Sequence, residues 1–198
     1  MGSFHTSSKV LSKSTGFGAV GGLAGGLAMS PFLIIIPILT GMPPDTMLIA
    51  MGLIFGAFSN SSVMTIGFGM HMLTSVLIGI IFGAVTSLVG TLMITRFRKG
   101  IVEGIMTGMI AFVVVFIPIS MIVMPPILMK MAMEMNPSMT QEEIMSGMQQ
   151  NMPTMFGLSI IEHIVYGVLL GTVTAYLILR TGIKRDHEVQ QHTREGRK

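Results

Sequence analysis

The 198-residue sequence contains no cysteine and no tryptophan, and few of its residues are charged. Without cysteine, disulfide bonds, thiolate catalysis and cysteine-based metal sites are excluded. Charged residues make up only 11% of the chain, whereas a soluble domain needs about a quarter to cover its surface. Apolar residues make up 51%, and the mean hydropathy is +0.75. These values predict that most of the chain lies in lipid rather than in water.

Four apolar runs are long enough to cross a membrane, since a helix needs about 20 residues to span roughly 30 Å of hydrocarbon. They cover residues 16–40, 65–94, 101–124 and 156–179. Two shorter apolar pieces, residues 47–58 and 127–135, predict interfacial or re-entrant helices, or extensions of a neighbouring span. The first run is too long for a signal peptide and is interrupted by Pro31 and Pro37, so we interpret it as an uncleaved span.

Basic residues are concentrated on one side of the predicted spans. Two precede span one, three separate spans two and three, and six follow span four, while Lys130 is the only one on the other side. Because cytoplasmic loops hold the excess of lysine and arginine, we expect both termini in the cytoplasm and the protein in the cell membrane. The clustered residues are Lys9, Lys13, Arg96, Arg98, Lys99, Arg180, Lys184, Arg185, Arg194, Arg197 and Lys198. The terminal stretch after span four has no aromatic residue, which argues against nucleic acid as a partner.

Several short patterns occur twice along the chain. At an offset of 82 residues, Gly22, Gly26 and Met42-Pro43-Pro44 recur as Gly104, Gly108 and Met124-Pro125-Pro126. At an offset of 92 residues, His71, Ser75 and Gly79 recur as His163, Gly167 and Gly171. Since each half holds two spans, both halves start on the same side, which predicts parallel two-helix repeats at residues 16–99 and 100–180. Cytoplasmic tails at 1–15 and 181–198 flank them, and the ten extra residues fall in a Met-rich outer insert at about 127–155.

The motif His-x3-[Ser/Gly]-x3-Gly, near the outer end of a span, occurs in both halves, as does Gly-x3-Gly leading to Met-Pro. In these motifs the chain resembles a family of small four-span integral membrane proteins of archaea and bacteria. The resemblance covers about residues 16–180 and implies the four-span fold without implying an activity. The long Met-rich insert departs from the family pattern.

Small residues four apart line each span. Such stripes let helix backbones approach closely in lipid, so they predict helix-packing surfaces. The positions assigned to packing are Gly22, Gly26, Gly79, Gly83, Gly104, Gly108, Gly167 and Gly171.

His71 and His163 occupy equivalent positions inside spans two and four. Ionisable side chains at such depth are costly and usually functional, so they predict a symmetric pair that lines a pathway, relays protons or binds a metal ion. The alternative is that each imidazole hydrogen-bonds a neighbouring helix and fastens the interface. Glu162, next to His163, is either part of this pathway or a solvated carboxylate near the outer interface.

Half of the 22 methionines lie between Met121 and Met155. Thioethers favour Cu(I), so Met129, Met131, Met133 and Met135, together with the two histidines, form a candidate copper site. The alternative is that methionine is a flexible apolar filler. The pattern of residues 140–151 predicts an amphipathic outer helix that begins with a capping box of Thr140 and Glu143. This helix favours the interpretation of methionine as an apolar filler.

Together these patterns predict an all-helical bundle of four transmembrane helices, with short interfacial helices on the outer face. No phosphate-binding loop or catalytic spacing indicates an enzyme. The first hypothesis is a small transporter or channel-like unit with a pathway between the repeats. The second is an accessory or structural subunit of a membrane complex, and the third is a Cu(I)-handling protein. No cofactor is expected apart from copper, which only the third hypothesis includes. The expected partners are the lipid bilayer and either further copies of the chain or other membrane subunits.

Overall fold

The computed structural model describes residues 8–56 and 62–181, and within these ranges every regular element is helical. The α-helices are α1 (Ser8–Met29), α2 (Phe32–Leu39), α3 (Thr46–Ile54), α4 (Val63–Leu88), α5 (Phe97–Ala111), α6 (Met124–Met135) and α7 (Gln141–Arg180). Within these described ranges, four helical segments are long and apolar enough to cross a membrane: Ser8–Leu39, Val63–Leu88, Phe97–Met135 and Gln141–Arg180. The prediction of a multi-pass, all-helical membrane protein is therefore confirmed at this level. Residues 1–7 and the basic tail from 182 onward, both within the predicted tails, lie outside the described residues.

Span one is a broken helix. Its first part ends at Met29, and the second begins after Pro31, which lacks the N–H group that would continue the α1 hydrogen-bond ladder. The second part, α2, ends at Leu39, and Gly41 follows shortly after it with a φ of +75°, which is readily adopted only by glycine. There the N–H of Met42 donates to the carbonyl of Pro37 at 2.8 Å. This turn carries the Met-Pro-Pro segment into α3.

Span three is continuous from Phe97 to Met135 but contains two π-helical turns, Phe112–Phe116 and Ile119–Val123. Pro118 lies between them. Because proline has no N–H and its ring crowds the carbonyl four residues earlier, a regular α-helix cannot pass through this position without adjustment. The apolar piece at 127–135 is thus an extension of span three, one of the two arrangements that the sequence allows.

The outer helix expected over residues 140–151 is the beginning of α7, which runs for 40 residues. The capping box forms as expected: the N–H of Thr140 donates to Glu143 Oε2 at 2.8 Å, and the N–H of Glu143 donates to Thr140 Oγ1 at 3.2 Å. Pro153 lies inside the helix without ending it. At about 1.5 Å per residue, α7 is roughly twice as long as the hydrocarbon layer is thick. Part of it therefore extends beyond the lipid.

The chain divides into two compact units, each built from separate stretches of sequence. The first unit contains Met1–Ala28, Thr74–Gly108 and Val165–Lys198, of which residues 8–28, 74–108 and 165–181 are described. The second unit contains Met29–Leu73 and Met109–Ile164, described except for residues 57–61.

In the first unit, glycines of α1 lie directly against α4. A methyl group at Gly22 would overlap the backbone of Ser75 and come within 3.1 Å of Gly79 Cα. Gly83 lies in the same way against the backbone of Ser14. These contacts leave no room for a side chain on either helix, so the two backbones are in van der Waals contact.

The helices α5 and α7 make the same kind of contact. A methyl group at Gly104 would overlap the carbonyl of Gly167 and come within 2.7 Å of Gly171 Cα. Gly171 in turn faces the backbone of Gly100. Six of the eight glycines that the sequence assigns to packing thus lie at helix contacts, and the other two, Gly26 and Gly108, are buried.

Two polar side chains hold further backbone groups of the first unit. The hydroxyl of Tyr166, which is 2% exposed, donates to the carbonyl of Ser75 at 2.7 Å. Lys99 Nζ donates to the carbonyls of Thr91 and Met93 at 2.7 and 2.8 Å. The same ammonium lies 3.6 Å from Glu103 Oε1. Lys99 therefore ties the loop between spans two and three to the start of α5.

The second unit has an apolar centre between α3 and α6. Ala50, Met124 and Leu128 are buried there, and Met42 and Met148 pack against them. Asn151 Nδ2 donates to the carbonyl of Thr40 at 3.1 Å, which ties α7 to the end of α2. These contacts fix the elements that carry the candidate site.

Candidate functional site: a buried imidazole pair and a methionine-lined cavity

His163 is buried on α7 in the second unit, with 8% of its surface exposed. Its Nδ1 lies 2.7 Å from the carbonyl oxygen of Ser159, one turn earlier in the helix. Because a carbonyl can only accept, Nδ1 carries a hydrogen in this arrangement. The other ring nitrogen, Nε2, is then the one able to bind a proton or a metal ion in the neutral ring.

Phenylalanine rings from the π-helical part of span three enclose this imidazole. The centroids of Phe112 and Phe116 each lie 5.4 Å from that of His163, both in edge-to-face geometry. Phe156 completes the group, at 6.2 Å from Phe112 and 5.8 Å from Phe116. Edge-to-face rings pack closely and offer no strong hydrogen-bonding group, so they form an apolar wall around the histidine.

His71 belongs to α4 and is 5% exposed. Like His163, it belongs to the second unit. Phe68, one turn earlier, lies with its ring centroid 6.3 Å from that of His71. The structure therefore brings the two predicted histidines together within the second unit, buried among protein side chains.

Glu162 is 4% exposed, so it is not the surface carboxylate that one interpretation of the sequence expected. No residue within 8–56 or 62–181 forms a hydrogen bond or an ion pair with its carboxyl group. Neither of its oxygens is among the fully enclosed atoms without a partner, so the carboxyl group keeps a small opening to its surroundings. An ionisable side chain so nearly buried is still costly in a segment that crosses lipid.

The second unit also contains a cavity of about 570 Å³, here called the Met-lined cavity. Seven of its 20 lining residues are methionines. Two come from one face of α6, three come from one face of α7 and two come from the connecting segments. They are Met131, Met135, Met148, Met152, Met155, Met42 and Met139.

Of the four methionines that the sequence assigned to copper, only Met131 and Met135 line the cavity. Met129 and Met133 are not among its lining residues, because alternate residues of a helix fall on nearly opposite faces. The sulfur of Met133 instead lies 4.0 Å from the side-chain amide of Gln141. The candidate copper site is thus divided between two faces of α6.

The cavity has polar groups as well. Thr46 is 2% exposed, and its hydroxyl has no hydrogen-bond partner in the described part of the chain. Ser120 and Asn136 also line the cavity. Among the described residues that line it, Glu143 is the only one with a carboxylate, and that group is held by the capping box with Thr140. A buried hydroxyl without a protein partner is commonly satisfied by an ordered water molecule.

The Met-lined cavity and the imidazole pair are neighbours along two helical segments. Ser120 lines the cavity, and Phe116 lies four residues before it in span three. Met155 also lines the cavity, and Phe156 is the next residue in α7. Phenylalanines that pack around His163 are therefore near neighbours of cavity residues in span three and in α7. Sequence reasoning missed this wall, although the spacing of Phe112 and Phe116 by four residues on one helix face was visible.

Among the described residues, no three histidine, aspartate or glutamate side chains come together as a metal-binding group. Thioethers are the potential metal ligands that the structure does gather in one place. Compared with known proteins, the chain matches no family model, no curated protein and no solved structure.

Proposed function

We propose that this membrane protein is a small transporter or channel-like unit that passes a cation through the second unit along Glu162, His163 and His71. The observation that carries the proposal is Glu162, an acidic residue only 4% exposed, in a helix long and apolar enough to cross a membrane. Removing an ionisable side chain from water in this way costs several kcal/mol. Ionisable residues in this situation typically mark an ion or proton pathway.

The neighbouring imidazoles suit the same role. Histidine takes up and releases a proton more readily near neutral pH than any other side chain, and both imidazoles are buried in the second unit. Since the Nδ1 hydrogen of His163 is engaged by Ser159, Nε2 is available for a proton or a cation. The phenylalanine wall keeps the pair away from bulk water, as a gate or a selective barrier requires.

Flux measurements in liposomes test this proposal. Protein reconstituted with a trapped pH dye and a potassium diffusion potential is expected to move protons or a monovalent cation faster than protein-free liposomes. Glu162→Gln keeps the size of the side chain and removes its charge, so it should abolish the flux. Glu142→Gln is the matched control, because Glu142 lies exposed in the first turn of the same helix.

Flux that is equal in the Glu162→Gln and Glu142→Gln proteins would refute a pathway through Glu162. A reconstituted protein without any flux, isolated from its membrane in a stable complex with other membrane proteins, would instead support the accessory-subunit hypothesis.

The orientation of the pathway rests on the distribution of basic residues, which supports cytoplasmic termini. In that orientation, Arg98 faces the cytoplasm and Glu142 faces outward. Because the chain has no cysteine, single cysteines at these two positions can be labelled without background. A membrane-impermeant maleimide added to intact cells should label the Glu142→Cys protein and leave the Arg98→Cys protein unlabelled.

We also propose that the two halves derive from one duplicated pair of helices. The glycine contacts support this, since Gly22 lies against Gly79. After the offsets of 82 and 92 residues, these positions become Gly104 and Gly171, which lie against each other in the same way.

A further inference from the structure

The Met-lined cavity is unusually rich in thioethers. Methionine provides seven of its 20 lining residues, against 22 of 198 in the whole chain. Leu128 and Ile144 are the only leucine and isoleucine among the lining residues. An apolar lining alone could use either of those residues equally well, so the choice of sulfur needs its own explanation.

Methionine as a filler does not explain this arrangement. A filler side chain closes a gap in packing. These side chains instead border about 570 Å³ of open space. Met135, Met139 and Met152 are 50%, 42% and 39% exposed.

We propose that the Met-lined cavity binds a soft monovalent metal ion, Cu(I), through thioethers from the facing sides of α6 and α7. Met131 and Met135 lie one turn apart on α6, and Met148 and Met152 lie one turn apart on α7. Each side chain has three rotatable bonds, so sulfurs from both rows can converge on one ion. Soft thioethers select Cu(I) over harder cations.

The remaining groups of the cavity agree with this choice. Calcium and magnesium need several oxygen ligands, including carboxylates. The single carboxylate of the cavity, Glu143, already accepts hydrogen bonds from Thr140. The hydroxyl of Thr46 can hold a water molecule beside the bound ion. Thioethers are neutral, so the ion keeps its positive charge, and it can then move toward a buried carboxyl group such as Glu162.

The inference that Cu(I) is the transported cation rests on the proposed function. The binding of Cu(I) to the cavity is measured independently of transport. Purified protein in mild detergent is titrated anaerobically with Cu(I) in competition with a chromogenic Cu(I) chelator. X-ray absorption then reports the ligands. We expect stoichiometric binding with sulfur as the main neighbour of copper.

The decisive variant replaces Met131, Met135, Met148 and Met152 together by leucine. Methionine-to-leucine changes conserve volume and keep the fold. The affinity for Cu(I) should fall by about tenfold or more, which corresponds to ~1.4 kcal/mol or more of binding free energy. The control replaces Met129 and Met133, which belong to the same helix α6 but do not line the cavity, and it should bind Cu(I) as the unchanged protein does.

Equal affinity in the fourfold variant and the control, or no stoichiometric binding by the unchanged protein, would overturn the inference. Glu162→Gln separates this result from the proposed function. That variant should bind Cu(I) normally and lose flux, whereas the fourfold leucine variant should lose Cu(I) binding. A protein that binds Cu(I) with sulfur ligands but shows no flux would keep the site and refute the transport role.

Discussion

The glycine contact between α1 and α4 predicts that one added methyl group will loosen the first unit. In Gly79→Ala, the new methyl group would overlap the carbonyl oxygen of Gly18 and come within 2.9 Å of Gly22 Cα. Both obstacles are backbone atoms, so no side chain can rotate away, and the helices themselves must separate. A methyl group added at Gly69, also on α4, would have no atom of another part of the structure within 4 Å. Gly69→Ala is therefore the matched control.

The expected size follows from two opposing effects. Overpacking costs about 1–3 kcal/mol. Replacing glycine by alanine within a helix gains up to ~1 kcal/mol, and both variants share that gain. The two proteins should therefore differ by the overpacking term alone, about 2 kcal/mol. For a chain of 150–250 residues, each kcal/mol shifts the midpoint of thermal unfolding by roughly 2–4 °C, which gives about 4–8 °C here.

Thermal unfolding in one detergent, followed by the loss of the monodisperse peak in size-exclusion chromatography, measures this difference. Gly69→Ala should match or exceed the stability of the unchanged protein, while Gly79→Ala should fall below it. If the two variants unfold at the same temperature, α1 and α4 are not in backbone contact at Gly79, and the packing described here is wrong.

Three further changes test other contacts. Tyr166→Phe removes the hydrogen bond to the Ser75 carbonyl and should cost about 1 kcal/mol in thermal unfolding, whereas the exposed Tyr176→Phe should cost almost nothing. Thr140→Ala removes half of the capping box and should speed hydrogen exchange in the first turn of α7, without changing exchange elsewhere. Lys99→Met breaks the hydrogen bonds to two loop carbonyls and leaves the carboxylate of Glu103 without its ion pair. The temperature of unfolding should therefore fall by several degrees. The decrease should be smallest at acid pH, where the Glu103 carboxyl group is protonated and needs no ion pair.

The spans and the start of α7 were predictable because their signals are local. A run of apolar residues fixes the length of a membrane helix, and a capping box involves residues only three apart. The continuation of α7 through Pro153 was not predictable in the same way. Proline usually ends a helix, but it can be accommodated where the carbonyl it leaves unpaired meets water or another donor.

The composition of the candidate site depended on tertiary structure. The sequence pattern suggested that four alternate methionines act together. In a helix only Met131 and Met135 share one face of α6, which a helical assignment of this segment would have predicted. Met42 reaches the same cavity from a distant turn, and no local signal indicates that. Glu162 could be a pathway residue or a solvated carboxylate, and the choice depended on whether other helices pack against its side of α7. Packing between helices cannot be seen in a local sequence pattern.

Close backbone contacts through glycine occur in both units, but they are more numerous in the first. The contacts of α1 with α4 and of α5 with α7 belong to the first unit, where little can move without a large cost, while the second unit has Gly52 against the backbone of Val63 and Gly67 against that of Leu48. The second unit contains the π-helical turns, the imidazole pair, Glu162 and the Met-lined cavity. Widened helical turns often occur at functional sites, because the backbone there can change its hydrogen bonding at low cost. The proposed transport role would need both a rigid frame and a part that rearranges around the ion. We therefore expect hydrogen exchange at Phe112–Phe116 to change when Cu(I) binds, while exchange at the glycine contacts stays constant.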